Sequence, residues 1–530
     1  MHVNRSIQFL FYKTPIYDYI LSKDLSAEII SNISDPWEGK RENGYNILNG
    51  YLSFFGETIK YNKSIWERNS STDLWKEEVS SFNWIKDLKT IGSNKARIFL
   101  RNSIKEWITK NSKWSSKEWR SDLVGKRICA LLSNFNFYCS SADDRFQKLV
   151  LENILKQGKH LLKNKLIDIS GYKKIFAIKG MIAISVVFKQ LRANLEKSLF
   201  TLLNEINEQV LDDGCHYLKS PKQHSEFLQN LIDIKSFLAE AKLEIPQEIN
   251  ECIAKMGLVL RFFKNTSGQL TTFNDSIHIN ENLIKQVIFR SNSNKKIPNF
   301  LEKSGFQRIS KNKINLIMDC GSPSLENTYA GSLSFEFSVG KNQIVVNCGS
   351  PFVNNKQWTE AMKSTAAHST VSIDNVNSSD IVLKKRIAKV WSQRREQPNN
   401  FWIDSAHSGY KDTFGLVHSR KIHIDSNKQI LRGQDYFSQT TKNYERIAKR
   451  YSLRFHLFPN IEINVTGSKK KAILRLPDGT GWEFICSEPD IQIKESIYLK
   501  RKKKIINNHI LIDNPIIPEK KIRWLFRLIK

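Results

Sequence analysis

Residues 212–227 read DDGCHYLKSPKQHSEF, and this stretch concentrates side chains that can move protons. Asp213-Gly214 ends one helical pattern, while Ser220-Pro221 begins the next with a capping serine and a proline at the first helical position. His216, Tyr217, Gln223 and His224 are thereby expected around a single loop between helices. Histidine and tyrosine there could serve as acid or base, whereas glutamine can only hydrogen-bond. Helix capping explains the same pattern without any chemistry.

Two further clusters follow. One comprises MDCGSPSLENTYAGSLSFEF (318–337), VVNCGSPF (345–352) and STAAHSTVSIDN (364–375), with Asn327, Tyr329 and His368 as its polar residues. The other is SAHSGYKDTFGLVHSRKI (405–422), with His407, Tyr410, His418 and Arg420. A single histidine on a strand is more often a satisfied structural group than a reactive one.

The elements that must position these residues differ between the two halves. From about residue 85 to 255 apolar residues recur at three and four. Leu199, Leu202, Leu203, Ile206 and Val210 form one stripe, and Phe227, Leu231, Ile234 and Leu238 another. Short polar links join these segments, so paired antiparallel helices are expected. After about residue 290 the period becomes two: Leu333, Phe335, Phe337 and Val339 alternate with Ser334, Glu336 and Ser338. Leu453, Phe455 and Leu457 alternate likewise, as do Ile461, Ile463 and Val465, and PDGTG at 477–481 has hairpin-turn chemistry. The expected architecture is α+β and multidomain, helical over 1–290 and an antiparallel β-sandwich over 291–530, with RSNSNKKIPN (290–299) as the connection.

Over 530 residues, 82 Lys and Arg against 53 Asp and Glu give a formal net charge of +29. Such a surface attracts polyanions without choosing among them, and A/T-biased codon usage would produce the same excess. The seven cysteines are scattered and never spaced as CxxC, which argues against a zinc knuckle or a disulfide framework. The first twenty residues contain an apolar run interrupted by Lys13 and Asp18, with no small-residue cleavage site. The most apolar segment, Gly180 to Phe188, is too short to span a bilayer. No signal peptide is recognised, so the sequence itself points to the cytoplasm. Phosphate-binding, dinucleotide-binding, nucleophile-elbow and HExxH motifs are absent, as are RNA-recognition and zinc-finger signatures. Nucleic acid therefore keeps only the charge argument.

Several stretches in order resemble the heparinase II/III-like family of bacterial polysaccharide lyases. They are SFNWIKDLKTIGSNKARIFLRNSIKEWI, EINEQVLDDGCHYLKSPKQHSEFLQNLIDI, AGSLSFEFSVGKNQIVVNCGSP, AAHSTVSID, HSGYKDTFGLVHSRKI and LRFHLFP. The resemblance implies an incomplete (α/α) toroid followed by an antiparallel β-sandwich, and a cleft that takes an acidic polysaccharide. It implies β-elimination: a polar group neutralises the uronate carboxylate, a base takes the C5 proton, and an acid protonates the departing glycosidic oxygen. No redox cofactor is implied. Export to the periplasm is common in such a family.

This chain also departs from the family pattern. SPKQH places Gln223 where an SPxYH-like stretch has tyrosine. Asn327, Tyr329 and Gly331 stand where many members read HxHxD, and Asn347 stands for the aspartate of the next strand. Of the metal-binding trio seen in some members only His368 is left, so no cofactor is expected; zinc needs about four good ligands. The resemblance then assigns proton transfer to Tyr217, His224 and His216. It assigns substrate contacts to Gln223, Arg420, His407, Tyr410, Asn327 and Tyr329. The rival expectations are a non-catalytic acidic-glycan-binding protein on the same fold, and a glycoside hydrolase using Asp212, Asp213 or Glu326.

Overall fold

The structure, a computed structural model, describes residues 2–67, 71–277, 279–350, 356–441, 444–500 and 503–529. Contacts divide the chain into two compact units. One comprises Met1–Gln209 with Glu226–Ile253, the other Val210–Ser225 with Ala254–Lys530.

The first unit is built from helices, among them Asn94–Lys110, Ser121–Ser133, Asp144–Lys163, Lys174–Val187 and Leu195–Gln209. Lys174–Val187 holds most of the apolar run at 180–188 and is buried nearly all round, as a core helix should be. It crosses Ser121–Ser133 at a pair of glycines, where a Cβ on Gly180 would lie 2.5 Å from Gly125 Cα. Leu202 and Ile206 of the first expected stripe are buried, as are Phe227, Leu231, Ile234 and Leu238 of the second. Two charged groups are satisfied inside this unit. Arg127 is held by Gln157, the Ser80 carbonyl and the Glu118 carbonyl and lies over Trp107. Lys179 Nζ donates to Asp233 Oδ2 at 2.8 Å, while Trp37 Nε1 donates to Asp233 Oδ1 at 2.6 Å.

The second unit contains, among the described residues, two eight-stranded sheets with antiparallel pairing. One runs in the spatial order Glu462–Val465, Lys471–Arg475, Gly481–Cys486, Ile522–Leu528, Ile430–Gln439, Leu416–Asp425, Asn400–Tyr410, Val390–Gln397. The other runs Gln492–Lys500, Lys503–Pro515, Arg450–Leu457, Asn342–Val346, Phe335–Val339, Ile314–Asp319, Phe306–Lys311, with Val371–Ile373 pairing onto Arg450–Leu457. Phe335, Phe337, Leu453, Phe455 and Ile510 from one sheet share a core with Ile403, Ile422, Phe437, Trp482 and Phe526 from the other. The chain is thus a helical unit of the toroid class followed by an antiparallel β-sandwich. PDGTG closes the hairpin between Lys471–Arg475 and Gly481–Cys486, with Gly479 at φ +86°.

One strand departs from the simple alternating reading. Phe335 and Phe337 face the core, yet Ser334, Glu336 and Ser338 between them are buried as well. The segment after the helix Gln247–Phe262 covers that outer face: Thr266 Oγ1 donates to Ser338 Oγ, and both Thr272 N–H and its hydroxyl donate to Glu336 Oε1. Burial pushes the Glu336 carboxyl up to about 7 against those hydrogen bonds.

Candidate functional site

The loop at 210–220 is a compact turn within the second unit. Val210 bridges to His216, Gly214 takes φ +84°, and the Cys215 carbonyl accepts from Leu211 N–H. Asp213 fastens it: Oδ1 accepts from Cys215 N–H, and Oδ2 accepts from Lys303 N–H, Ser304 N–H and the Ser304 hydroxyl. Those four bonds account for Asp213 as a staple rather than a hydrolytic carboxylate. Ser220 caps the helix Pro221–Glu240 by accepting from Gln223 N–H, as the Ser-Pro pair predicts.

Around this loop the polar side chains separate into two kinds. His216 and His224 are fully buried. The His216 N–H donates to His224 Nδ1 at 3.3 Å and His224 Nε2 donates to the Met256 carbonyl at 2.8 Å, so both ring nitrogens are engaged in the neutral form. His216 Nδ1 in turn accepts from Leu218 N–H. Burial depresses both imidazoles, to about 3 for His216 and about 4 for His224. These rings build the loop, and their assignment as proton-transfer groups does not fit their full burial.

Tyr217 is different. It is half-exposed, and its hydroxyl donates to Glu326 Oε2 at 2.5 Å. Glu326 is exposed, and Lys384 Nζ donates to its backbone carbonyl at 3.2 Å. Lys219 Nζ reaches the Ser322 carbonyl four residues earlier in the same segment.

Next to this pair lies a network centred on Asp275, a residue that the sequence reading missed. Gln223 Nε2 donates to Asp275 Oδ2 at 3.3 Å, while the Ser350 and Tyr329 hydroxyls donate to Oδ1 at 2.5 and 3.3 Å. The half-buried Lys363 ammonium sits 5.5 Å from the Tyr329 ring centroid. Burial lowers its pKa, with Asp275 working in the opposite direction. Gln223 Oε1 and Asn327 Nδ2 are buried without a hydrogen-bond partner among the described residues. Asn274 and Asp275 both have positive φ, 46° and 67°, which turns the Asp275 carboxylate toward Gln223, Tyr329 and Ser350. That pair of left-handed residues in TFNDS was the available sequence signal; nothing local distinguished Lys363 or Lys384 from the many other lysines. Pro351 and Phe352, the end of the VVNCGSPF stretch, lie outside the described residues.

The positions where the resemblance would place a metal do not fit one. The Tyr329 hydroxyl is committed to Asp275 and Ser350, and Asn347 Oδ1 accepts from Ser369 N–H at 3.0 Å. His368 Nδ1 donates to the Ser364 carbonyl at 2.7 Å, and its ring fills the space beside Gly331, where a Cβ would come within 2.6 Å of Cδ2. Among the described residues no group of three or more His, Cys, Asp or Glu is arranged around a possible metal ion.

The third cluster lies in the sandwich core. Gly409 N–H donates to His407 Nδ1 at 3.1 Å, which directs His407 Nε2 to donate to His418 Nδ1 at 3.0 Å. His418 Nε2 donates in turn to Asp435 Oδ1 at 2.7 Å. Arg420 pairs with the same carboxylate and caps the Leu333 and Ser369 carbonyls, and Trp524 Nε1 completes Asp435. Tyr410 donates to the Val371 carbonyl. Arg420, His407 and Tyr410 are each fully buried, so the expectation that they touch substrate is corrected: Arg420 and Tyr410 tie this sheet to Leu333, Ser369 and Val371, and His407 orients His418 within it.

Comparison with known proteins accords with this architecture. Residues 46–299 match the heparinase II/III N-terminus and residues 294–525 the heparinase II/III-like C-terminal domain. The chain belongs to the heparinase II/III-like family of polysaccharide lyases. A solved heparinase III superposes with a TM-score of 0.76 over 97% of this chain and 89% of that one, at 14% identity. Heparan sulfate lyase HepC from Pedobacter heparinus gives 0.64 over 97% and 87%, at 17% identity. FtsZ-localized protein C of Caulobacter vibrioides is 24% identical over 520 residues, covering 92% of this chain and 88% of that protein.

Proposed function

We propose that this chain is a lyase acting by β-elimination on an anionic, uronate-containing polysaccharide, with Tyr217 and Glu326 as its proton-transfer pair. The observation that carries the reading is the half-exposed Tyr217 hydroxyl bound to Glu326 at 2.5 Å beside Lys384. In the resting pair the Tyr217 phenol donates to the Glu326 carboxylate, a charge-assisted hydrogen bond. Lys384 and Lys363 supply positive charge for the uronate carboxylate, which makes the C5 proton acidic enough for a side-chain base. The Glu326 carboxylate takes that proton as the C4–O bond breaks, and the Tyr217 hydroxyl gives its own proton to the departing oxygen. The carboxylic acid and phenolate left behind are hydrogen-bonded to each other, so one proton moving from Glu326 to Tyr217 restores the starting state. Gln223 serves as a hydrogen-bonding group held by Asp275.

The test is the ultraviolet absorbance of an unsaturated uronate during incubation with alginate, heparan-type, hyaluronan-type and bacterial capsular polysaccharides. A rise that Tyr217→Phe reduces by about 10²–10⁴-fold, the usual range for one acid–base group, is the expected result. A flat trace on every substrate from folded protein sinks the reading.

A second reading, an acidic-glycan-binding protein without turnover, is favoured by Gln223 standing at the position where the resemblance has tyrosine, and by the full burial of His216 and His224. The Caulobacter relative, too, is named for its localisation rather than for a reaction. Saturable glycan binding with no absorbance change would select this reading, and Tyr217→Phe would then alter affinity alone.

A further inference from the structure

The helices His2–Tyr12 and Pro15–Ser22 present a surface that the elimination chemistry does not use. Their inner sides are firmly attached to the helical unit. Tyr12 donates to Asn164, Tyr17 bonds His160 Nδ1 at 2.7 Å, Asp18 pairs with Lys156 at 2.7 Å, and Phe9 packs on Trp114. Their outer sides are apolar too. Ile7, Leu10 and Phe11 on the first helix and Ile16, Tyr19 and Ile20 on the second each follow an i, i+3, i+4 spacing and so form one patch per helix. They stand in solvent at 60, 66, 42, 65, 69 and 36% exposure, whereas Tyr12, Tyr17 and Leu21 on the inner side are at most 6% exposed. Six large apolar side chains on two successive short helices exceed the scatter of single exposed residues that a soluble surface carries.

Cations predominate along the pair, with Asp24 the exposed carboxylate that follows it. Arg5, Lys13 and Lys23 are exposed along the pair, and Lys159 donates to the Lys23 and Asp24 carbonyls beside its end. Between residues 5 and 23 the one carboxylate is Asp18, already neutralised by Lys156. Apolar side chains flanked by lysine and arginine on a rigidly mounted helix match the chemistry of an anionic bilayer surface, into which such a face sinks while its cations meet the headgroups. Among the described residues no helix is long and apolar enough to cross a membrane. We infer that the outer face of the first two helices docks this protein peripherally on an anionic lipid surface.

The test is flotation of the full-length chain with vesicles of phosphatidylcholine and phosphatidylglycerol, compared with phosphatidylcholine alone. Leu10→Asp with Ile16→Asp changes two side chains that are about two-thirds exposed, so folding is retained and verified by the unfolding midpoint. The expected result is preference for the anionic vesicles, a loss of at least about tenfold in the double variant, and a several-fold loss in Lys13→Glu with Lys23→Glu. Phe289→Asp, at an exposed phenylalanine elsewhere, should leave binding unchanged. The inference is overturned by the absence of flotation, or by binding that survives the double apolar substitution. It is equally overturned if light scattering shows that the substitution converts a dimer to a monomer while neither form binds vesicles, because a second copy is then the occupant. Polysaccharide turnover is measured separately and does not bear on the outcome.

Discussion

The His407–His418–Asp435–Arg420 network and the Tyr217–Glu326 pair are made of similar residue types but are finished differently. In the sandwich core the hydrogen bonds from Gly409 through both imidazoles to Asp435 run in one direction, and Arg420 and Trp524 complete the carboxylate. At Tyr217 a half-exposed phenol meets an exposed carboxylate beside an exposed lysine. Residue type did not separate the two; burial did. A buried polar group with every partner in the protein specifies structure, whereas a partly exposed pair keeps capacity for a ligand.

The largest expected effect lies on the saturated side. Arg420→Leu removes the guanidinium from a fully buried carboxylate and leaves the Leu333 and Ser369 carbonyls without it. Breaking such a pair costs about 3–5 kcal/mol. Denaturant unfolding should show that loss, while Tyr217→Phe on the other side should shift stability by less than about 0.5 kcal/mol, as a surface change does. Equal effects from the two substitutions would erase the contrast.

The next effect belongs to the exposed pair. Glu326→Gln keeps a hydrogen-bond acceptor for Tyr217 but removes the base and the negative charge, and turnover should fall by about 10²-fold or more with an unchanged unfolding midpoint. If elimination persists at the parental rate, Glu326 only orients Tyr217 and the base lies elsewhere.

The two regions also explain what could be read in advance. Apolar periods of three to four and of two revealed a helical half and a sheet half, because burial of Leu202, Phe227, Leu231, Phe335 and Phe455 depends on local spacing. The resemblance added the toroid and the sandwich. Tyr217 could be placed on a loop, and Gln223 in the first turn of the following helix, because Gly214 and Ser220-Pro221 punctuate the chain. TFNDS marked Asp275 as a turn residue but not its partners, and nothing marked Lys363, since they join Gln223 and Tyr329 only through contacts dozens of residues apart. Arg420 and His407 misled for the same reason: nothing local indicates that Asp435, fifteen residues beyond Arg420, pairs with it, or that the buried His418 ring takes the His407 bond.

Acid titration tests saturation itself. His216, His224 and His368, held at about 3, 4 and 4, remain neutral in the fold, whereas in the unfolded chain they take up protons near 6.5. Their contribution is therefore fully present above about pH 6.5 and is lost as pH falls from there toward 4. Glu336 and Asp319, raised to about 7 and about 6 by burial, act with the opposite sign: the fold retains their protons, so they cost stability as pH rises from the ordinary carboxylate range. Comparing each variant with the parent isolates a single group. His224→Gln should flatten the stability-against-pH slope between 4 and 6.5 by about one proton, measured from urea midpoints across that range. An unchanged slope would mean that His224 is not held neutral, and the loop would regain a histidine able to titrate.

The smallest effect concerns Gln223, which is buried beside the Tyr217–Glu326 segment. Among the described residues the Gln223 side chain is held by one 3.3 Å bond to Asp275, and its Oε1 has no partner. Gln223→Leu keeps the volume, removes both polar atoms and leaves Asp275 with Ser350 and Tyr329. Losing one neutral hydrogen bond to a ligand costs about 0.5–1.5 kcal/mol, so glycan affinity should weaken roughly 2- to 12-fold, with turnover at saturation unchanged. Were Gln223 a purely structural member of the network, affinity would hold steady and the unfolding midpoint would fall instead. Measuring both quantities on the one variant therefore decides on which side of the comparison Gln223 belongs.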